Sequence, residues 1–212
     1  MNNLGGVIKV RTLEVAGIYP AIFGMRNPLN SWTKSDSYED IRDVIGTDDM
    51  ILAKKLIKAG TEHRKFLRQI QVWADVFMPR YVWQELDTYK FGTKNSCSTM
   101  YTIMKNEITM DDFYIGEPSG IMYDSLVTSI DILNILRDKY LQTKDYKYVI
   151  DMKRILPESF IQLRTWNTNY EELANIYHQR NHHKLKEEWG IICQWIEELP
   201  YFKEMILDTL EG

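Results

Sequence analysis

A run of small polar side chains between Thr88 and Tyr101 holds most of the groups in this sequence that could do chemistry. It reads TYKFGTKNSCSTMY and supplies hydroxyls, an amide, a thiol and two lysines. Hydroxyls and amides donate and accept hydrogen bonds, and lysine adds a mobile positive charge. The candidate residues of the run are Lys90, Thr93, Asn95, Ser98 and Tyr101. Because the run follows an apolar, aromatic segment, we expect a functional loop carried on a rigid scaffold.

The same side chains have purely structural explanations, which the sequence leaves open. Ser98 could cap a helix that begins near Thr99. Asn95 could occupy a turn position, and Lys90 could be a solvated helix end. Cys97 has no neighbouring histidine and no demonstrable helix N-terminus, so we do not expect it to be a nucleophile.

Histidines and acids outside this run form two groups that could hold a cation. The three histidines of HQRNHH could face one metal only on a continuous helix, and no further ligand is evident. The acids around FYIGEP are more typical of a solvated loop than of a cation site. We therefore expect no metal. His63 could be a surface histidine, and Arg180 could pair with Glu172 or another acid.

Composition excludes several classes of protein. The 212 residues carry a net charge of −4 with acids and bases interspersed, which argues against a nucleic-acid footprint. The sequence has no apolar run of the length that spans a membrane. Cys97 and Cys193 lie far apart and match no metal spacing, so we expect a cytoplasmic protein. Without a visible linker, we expect one α+β domain over residues 1–212.

Hydrophobic periodicity places the candidate loop among regular elements. Residues 7–18 alternate in part and predict a strand, and residues 19–46 predict a loop region with one short helix. A helix is predicted with Thr47 or Asp48 as its N-cap and Gly60 as its C-cap. A strand is then predicted over residues 66–79, with Val72, Ala74 and Val76 facing the core. A short helix after Pro79 leads into the candidate loop.

The second half of the sequence reads as mostly helical. Residues 117–143 predict an amphipathic helix, with Leu126 and Leu133 on its apolar stripe. Pro157 interrupts the helical pattern that follows. Residues 169–200 predict two helices with a break near residues 181–183.

Three segments together resemble the flavin-dependent thymidylate synthases. That family carries the motif Arg-His-Arg-x-x-Ser-x-Asn-x-x-Ser-x-Arg-Tyr after a strand, a turn and a helix. In the candidate run Asn95, Ser98 and Tyr101 fall in register, Thr93 replaces a serine, and Lys90 keeps a positive charge. His63 stands where the family has a histidine ahead of its strand. The third segment matches the family's C-terminal pattern at Leu156, Pro157, Trp166, Asn169, Leu173, Asn175 and Arg180.

The resemblance implies a fold and a set of roles. The fold would be a single α+β domain with an antiparallel or mixed sheet flanked by helices, assembled as a homotetramer or homodimer with pockets between subunits. Ser98 and His63 would be catalytic. Substrate would contact Lys90, Thr93, Asn95, Tyr101 and Arg164. A flavin would contact His63, Lys90, Asn169, Asn175, His178 and Arg180. The implied cofactor is FAD, with NADPH and methylenetetrahydrofolate as co-substrates.

Departures from the motif leave two functions open. Thr88, Tyr89 and Met100 stand where the family has two arginines and a histidine, and Glu171 follows Asn169 where a cation is expected. The family's cations hold phosphates, a task that threonine or methionine cannot perform. One hypothesis is FAD-dependent methyl transfer to dUMP or a related pyrimidine nucleotide, a step of dTMP biosynthesis. The alternative is a non-catalytic protein that binds or sequesters a nucleotide, for example for a phage. A purely structural protein is a third, weaker alternative.

Overall fold

Helices and a small sheet account for most of the chain, of which a computed structural model describes residues 6–40 and 43–211. The strands are β1 (Lys9–Ala16), β2 (Gln71–Pro79), β3 (Thr93–Ser96) and β4 (Ile161–Asn169). The helices are α1 (Ile18–Gly24), α2 (Thr47–Lys58), α3 (Arg80–Leu86), α4 (Thr99–Thr102), α5 (Gly120–Thr143), α6 (Lys147–Ile155), α7 (Tyr170–Arg180), α8 (Lys186–Glu197) and α9 (Asp208–Glu211).

In the described residues the strands form one four-stranded antiparallel sheet with the order β1-β2-β4-β3. Backbone hydrogen bonds at both ends of the β2–β4 pair fix its antiparallel register: Tyr170 N donates to Ile70 O at 3.1 Å, and Arg80 N donates to Phe160 O at 3.1 Å. The expected α+β class is therefore confirmed. Of the described helices, none is long and apolar enough to cross a membrane.

Contacts within the chain divide it into two compact units. Unit 1 comprises the described residues of Met1–Val10, Asp75–Thr88 and Lys94–Thr165. Unit 2 comprises those of Arg11–Ala74, Tyr89–Thr93 and Trp166–Gly212. The expectation of a single domain stays a prediction.

Strand β2 has the predicted core-facing residues, but it begins later in the sequence than predicted. Val72, Ala74 and Val76 are all buried, as their alternation predicts. The chain between Lys65 and Arg68 is instead a short 3₁₀ turn. A strand from Phe66 was therefore wrong, because Leu67 N donates to Arg64 O and Gln69 N donates to Phe66 O, both at 3.0 Å, so these amides bond within the turn and not across a sheet.

Helix α2 begins at Thr47, so the prediction that Thr47 or Asp48 is its N-cap was wrong. Gly46 occupies the N-cap position and has no side chain to offer. The carboxylate of Asp36 replaces it, accepting from Asp48 N at 2.9 Å and Asp49 N at 3.0 Å. At the other end Gly60 has a φ of +104°, so the left-handed residue that ends many helices is present as predicted.

A separate core in unit 1 forms where α5 and α6 pack together. Leu126 and Leu133 of α5 are buried with Val149 and Met152 of α6 and with Phe113. The predicted apolar stripe of α5 is confirmed.

The C-terminal part of the chain contains one strand that periodicity missed. Helices α7 and α8 are separated at residues 181–185, close to the predicted break. Strand β4 was not predicted, because most of its residues are half-buried and their polarity does not alternate. It lies between β2 and β3 in the sheet.

Helix α2 offers a matched test of this packing. Replacing the buried Ile57 with alanine removes core contacts and leaves a cavity, so we expect the free energy of unfolding to fall by about 2–5 kcal/mol. Replacing Ile51 of the same helix, which is 61% exposed, should change it by no more than about 0.5 kcal/mol. Urea denaturation measures both, and equal effects would contradict the assigned face of α2.

Candidate functional site

A well-formed cavity of unit 2 contains His63. This His63 cavity has a volume of about 650 Å³, within the range of small-molecule sites. Its walls combine apolar and cationic side chains from the loop after α1, from α2 and from the 3₁₀ turn before β2. The apolar members are Met25, Pro28, Leu29, Leu52, Leu56 and Phe66, and the basic members are Arg26, Lys34, His63 and Lys65.

A buried ion pair fixes one wall of this cavity. Arg26 is 5% exposed and its Nε donates to Asp49 Oδ1, while Asp49 is fully buried in the first turn of α2. The other carboxylate oxygen of Asp49 accepts from Ser35 Oγ at 2.7 Å and from Ser37 Oγ at 2.6 Å. Burial alone would raise the pKa of Asp49, but hydrogen bonds from Ser37, Ser35 and Arg26 outweigh it and lower the pKa below 3.8.

Two cations of the His63 cavity retain unused donors. Among the described residues, none accepts a hydrogen bond from the terminal nitrogens of Arg26, and none pairs with Lys34. Lys65 lies 3.4 Å from Glu62, but both side chains are mostly exposed, so their pairing is weak. The cavity therefore has donors and positive charge for an anion beside an apolar surface.

A second, smaller cavity of unit 2 contains two of the predicted flavin-binding amides. This Asn169 cavity has a volume of about 260 Å³ and lies on the other side of the residue 61–68 segment, since Arg64 and Arg68 line it whereas His63 and Lys65 do not. Its remaining lining residues are Thr61, Phe91, Asn169, Glu171, Glu172 and Asn175.

The polar groups of the Asn169 cavity largely satisfy one another. Arg64 Nε donates to Glu171 Oε1 at 3.1 Å and lies 3.0 Å from Oε2. Asn169 caps α7 by accepting from Glu172 N at 3.0 Å. Asn175 Oδ1 accepts from Gln179 Nε2 at 3.2 Å. Glu171 therefore neutralises Arg64, and Glu172 is a second acid of this cavity.

Arg180 is held by aromatic side chains and does not line the Asn169 cavity. Its Nε donates to the Tyr89 hydroxyl at 2.9 Å, and that hydroxyl also bonds Gln179 Oε1 at 2.9 Å. The guanidinium lies 5.6 Å from the centre of the Tyr89 ring and 4.8 Å from that of Trp189. The predicted pairing with Glu172 is not seen, since Glu172 accepts instead from Phe91 N at 3.2 Å. Tyr89, which replaces the family's histidine, thus positions this arginine.

Arg164, predicted to bind substrate, is bound within unit 1 by an acid. Its Nη1 donates to both oxygens of Asp87, at 3.1 and 2.9 Å, and its guanidinium stacks 4.4 Å from the ring centre of Trp83. Lys94 Nζ lies 3.2 Å from the same carboxylate. One acid therefore serves two cations, and neither is positioned as an independent phosphate ligand.

The candidate run is more regular than the expected loop. It contains β3, at one edge of the described sheet, and α4. Ser98 occupies the N-cap of α4, but its side chain makes no capping hydrogen bond, so its hydroxyl is not used there. Asn95 and Tyr101 are exposed in unit 1, with Tyr101 at 71%.

The remaining predicted site residues lie on the surface of unit 2. Thr93 and Lys90 are exposed in the run itself, and His178 is exposed on α7. Only Asn169 and Asn175, among the predicted flavin ligands of unit 2, share a cavity with each other, whereas His63 lines the larger one. The roles proposed for all these residues stay predictions.

Neither cysteine is placed to act as an activated nucleophile. Burial, with a smaller contribution from Glu197, raises the pKa of Cys193 to about 11, so this thiol stays protonated at neutral pH. Cys97 is exposed, and its sulfur lies 3.9 Å from Thr102 Oγ1. In the described part of the chain, no three metal-ligating side chains come together.

Several residues that line the two cavities were not predicted as site residues from the sequence. Arg26 and Lys34 lie in a region that predicted only a loop, two residues of which (41 and 42) are outside the described ranges. Arg64, Lys65 and Arg68 follow His63 within five positions, and this cluster of cations was the available signal. Which cavity each cation lines depends on the 3₁₀ turn, which the sequence pattern did not predict.

Solved structures with this fold are flavin-dependent enzymes and a nucleotide methylase. No family matches the sequence, and no curated protein matches it. A crystal structure of thymidylate synthase X from Helicobacter pylori with FAD and dUMP gives a TM-score of 0.72 at 18% identity, covering 97% of this chain and 100% of that chain. A second structure of that flavin-dependent enzyme, also with FAD and dUMP, gives 0.73 at 17% identity, covering 93% and 99%.

A third similar structure is the UMP/dUMP methylase PolB from Streptomyces cacaoi bound with 5-Br UMP. Its TM-score is 0.65 at 12% identity, covering 97% of this chain and 93% of that chain. The chain therefore has the fold of flavin-dependent thymidylate synthases along nearly its whole length, and the resemblance stated from the sequence is confirmed at the level of fold.

The buried ion pair can be tested by substituting Asp49 with asparagine. Asn keeps the shape but leaves the Arg26 charge buried without a counter-ion, so we expect the free energy of unfolding at pH 7 to fall by about 3–5 kcal/mol. The Asp49 pKa is lowered on folding, so its stabilising effect is complete above the unfolded pKa near 3.8 and is lost as pH falls through the folded value. Denaturation of both proteins between pH 7 and pH 2.5 measures this.

The difference in the free energy of unfolding between the wild type and Asp49→Asn should therefore be constant near pH 7 and become smaller in acid. An Asp36→Asn variant is a useful comparison, because Asp36 is exposed, caps α2 and has no ionic partner among residues 6–40 and 43–211. We expect it to lose about 1 kcal/mol or less. A difference for Asp49→Asn that does not vary down to pH 2.5 would contradict the assigned ion pair.

Proposed function

We propose that the chain binds a pyrimidine nucleotide in the His63 cavity. The observation that carries the proposal is the juxtaposition, in one cavity of about 650 Å³, of apolar walls and of cations with unused donors. A nucleotide presents the complementary pair of surfaces, a flat base and a phosphate. The fold supports the same ligand class, because similar structures contain dUMP or 5-Br UMP.

Arg26 and Lys34 are the proposed phosphate ligands. The ion pair with Asp49 holds the Arg26 side chain by its Nε and leaves the terminal nitrogens as donors. Because this guanidinium is already immobilised, binding a phosphate costs it little side-chain entropy. Lys34 supplies the net charge that Arg26, neutralised by Asp49, does not. The base would lie against Met25, Leu56 and Phe66.

The residues of the Asn169 cavity do not fit a flavin diphosphate. Glu171 stands where the resemblance implies a cation, and it binds Arg64. Asn169 already caps α7, and Arg180 is held by Tyr89 and Trp189. Bringing a diphosphate beside Glu171 and Glu172 would cost free energy unless the ion pair between Arg64 and Glu171 were rearranged. We derive no catalytic step through FAD for this chain.

Flavin-dependent methyl transfer is the second candidate function, favoured by the fold. Two of the similar structures contain both FAD and dUMP. This candidate requires FAD, with NADPH and methylenetetrahydrofolate as co-substrates, and it makes the protein a transferase of dTMP biosynthesis. The first candidate requires none of these and is compatible with a protein that sequesters a nucleotide.

Spectroscopy and mass spectrometry of the purified protein separate the two functions. The binding function predicts a colourless protein that releases a nucleotide on denaturation, or whose melting temperature rises with added dUMP or UMP, because a ligand specific for the folded state stabilises it. The transferase function predicts flavin absorbance, or stabilisation by FAD. If dUMP, UMP and FAD all leave the melting temperature unchanged and no ligand co-purifies, both candidates are wrong.

A lysine pair tests the location of the nucleotide. The Lys34→Ala variant lacks a charge-assisted contact with the phosphate that is worth about 1.5–3 kcal/mol. We therefore expect the Kd for dUMP to rise by roughly 10- to 100-fold. Lys58→Ala is the matched control, because Lys58 is an exposed lysine on α2 that does not line the cavity. Isothermal titration calorimetry measures both. Equal affinities for the two variants would exclude the His63 cavity without excluding nucleotide binding elsewhere.

A further inference from the structure

The Asn169 cavity contains one acid and one base that no other described residue neutralises. Arg64 and Glu171 form an ion pair with each other. Glu172 and Arg68 also line the cavity, but neither has an ionic partner in the part of the chain that the structure describes. At about 260 Å³ the cavity is smaller than the sites that hold drug-sized ligands. It therefore offers two opposite, unused charges to a small molecule.

The acid of this pair, Glu172, is buried. Its side chain is 5% exposed and lies in the first turn of α7. The Oε1 atom accepts a hydrogen bond from Phe91 N at 3.2 Å, and among the described residues none donates to Oε2. A buried carboxylate is costly unless its hydrogen-bonding capacity is filled. A ligand that brings a positively charged N–H donor would fill it.

Other residues of the cavity supply donors for a negatively charged group. Arg68 is exposed in the 3₁₀ turn before β2, and its guanidinium has no acid beside it among the described side chains. Asn169 uses its Oδ1 atom to cap α7, and Asn175 uses its Oδ1 atom to accept from Gln179. The Nδ2 groups of both asparagines are therefore left as donors. Guanidinium and amide N–H groups are typical ligands of a carboxylate.

The ligand that matches these groups carries an ammonium and a carboxylate close together. This pair of charges is the part that free α-amino acids have in common. A phosphate would bring negative charge beside Glu172, and a simple cation would leave Arg68 without a partner. Phe91, which is 74% exposed, adds an apolar ring to the cavity. That ring can pack against an apolar side chain of the ligand.

We propose that the Asn169 cavity binds a free α-amino acid with an apolar side chain. The Glu172 carboxylate accepts hydrogen bonds from the ammonium of the ligand. The Arg68 guanidinium and the two asparagine amides donate to its carboxylate, and its side chain packs on the Phe91 ring. All of these residues belong to unit 2 and line one cavity. The proposal does not depend on what the His63 cavity binds.

Derivatives of one amino acid test whether the cavity recognises both charges. The probes are L-leucine and L-phenylalanine, and we expect isothermal titration calorimetry at pH 7 to give a Kd of about 1 mM or lower for at least one of them. The N-acetyl derivative of that amino acid lacks the ammonium, and its amide lacks the carboxylate. Each derivative loses a charge-assisted hydrogen bond, so each should bind at least about 10-fold more weakly.

Two substitutions that remove a charge test the location of the amino acid. Glu172→Gln keeps an acceptor for Phe91 N but removes the negative charge, and Arg68→Gln removes the positive charge. We expect either change to raise the Kd by roughly 10- to 100-fold. Lys65→Gln is the matched control, because Lys65 is an exposed cation of the same 3₁₀ turn that lines the His63 cavity instead. Circular dichroism checks the fold, and the exposed Arg68 gives a variant that keeps the core intact.

Three results would each overturn the proposal. If neither amino acid produces heat of binding or raises the melting temperature at about 10 mM, the protein does not bind this class of ligand. If the acetylated and amidated derivatives bind as tightly as the free amino acid, its two charges are not recognised. If Arg68→Gln binds the amino acid with the affinity of Lys65→Gln, the ligand occupies a site other than the Asn169 cavity.

Discussion

The buried ion pair between Arg26 and Asp49 is the constraint on which the His63 cavity depends. The loop after α1 has little apolar anchoring of its own, since Asn27, Pro28 and Leu29 are exposed. The Asp49 carboxylate holds this loop by accepting hydrogen bonds from Arg26, Ser35 and Ser37. A carboxylate buried this deeply is tolerated only when its hydrogen-bonding capacity is filled, so the loop and the first turn of α2 stabilise each other.

The distribution of cations explains how one fold can serve different chemistry. Three arginines near the positions implied by resemblance are bound by the chain itself: Arg64 by Glu171, Arg164 by Asp87, and Arg180 by Tyr89 and Trp189. The pairings of Arg64 and Arg164 with acids lower the charge available to a phosphate at those places, and the contacts of Arg180 with Tyr89 and Trp189 fix its position. The His63 cavity, by contrast, retains unused donors. Two proteins that share a fold therefore need not bind the same ligand, because binding depends on which charged side chains remain unpaired.

The tyrosine at position 89 determines the position of a second residue, Arg180. A buried tyrosine brings an aromatic face and a hydroxyl to the same place, and Arg180 uses both. The arginine is then stacked on a second ring, that of Trp189. Stacking and hydrogen bonding together hold a guanidinium more firmly than an exposed ion pair would, and they orient it away from the Asn169 cavity.

Local patterns in the sequence determined the elements whose residues interact with near neighbours. The alternation in β2, the apolar stripe of α5, Gly60 after α2 and the break between α7 and α8 all follow from spacings of two to four residues, and all are found. The three matching segments together also indicated the fold, which the similar structures confirm. Only the tertiary structure decided the site. Arg26 and Asp49 are 23 residues apart, Tyr89 and Arg180 are 91 apart, and Asp87 and Arg164 are 77 apart. Such pairs form because folding brings together side chains that are distant in the sequence, and no local periodicity records which partner each cation will meet.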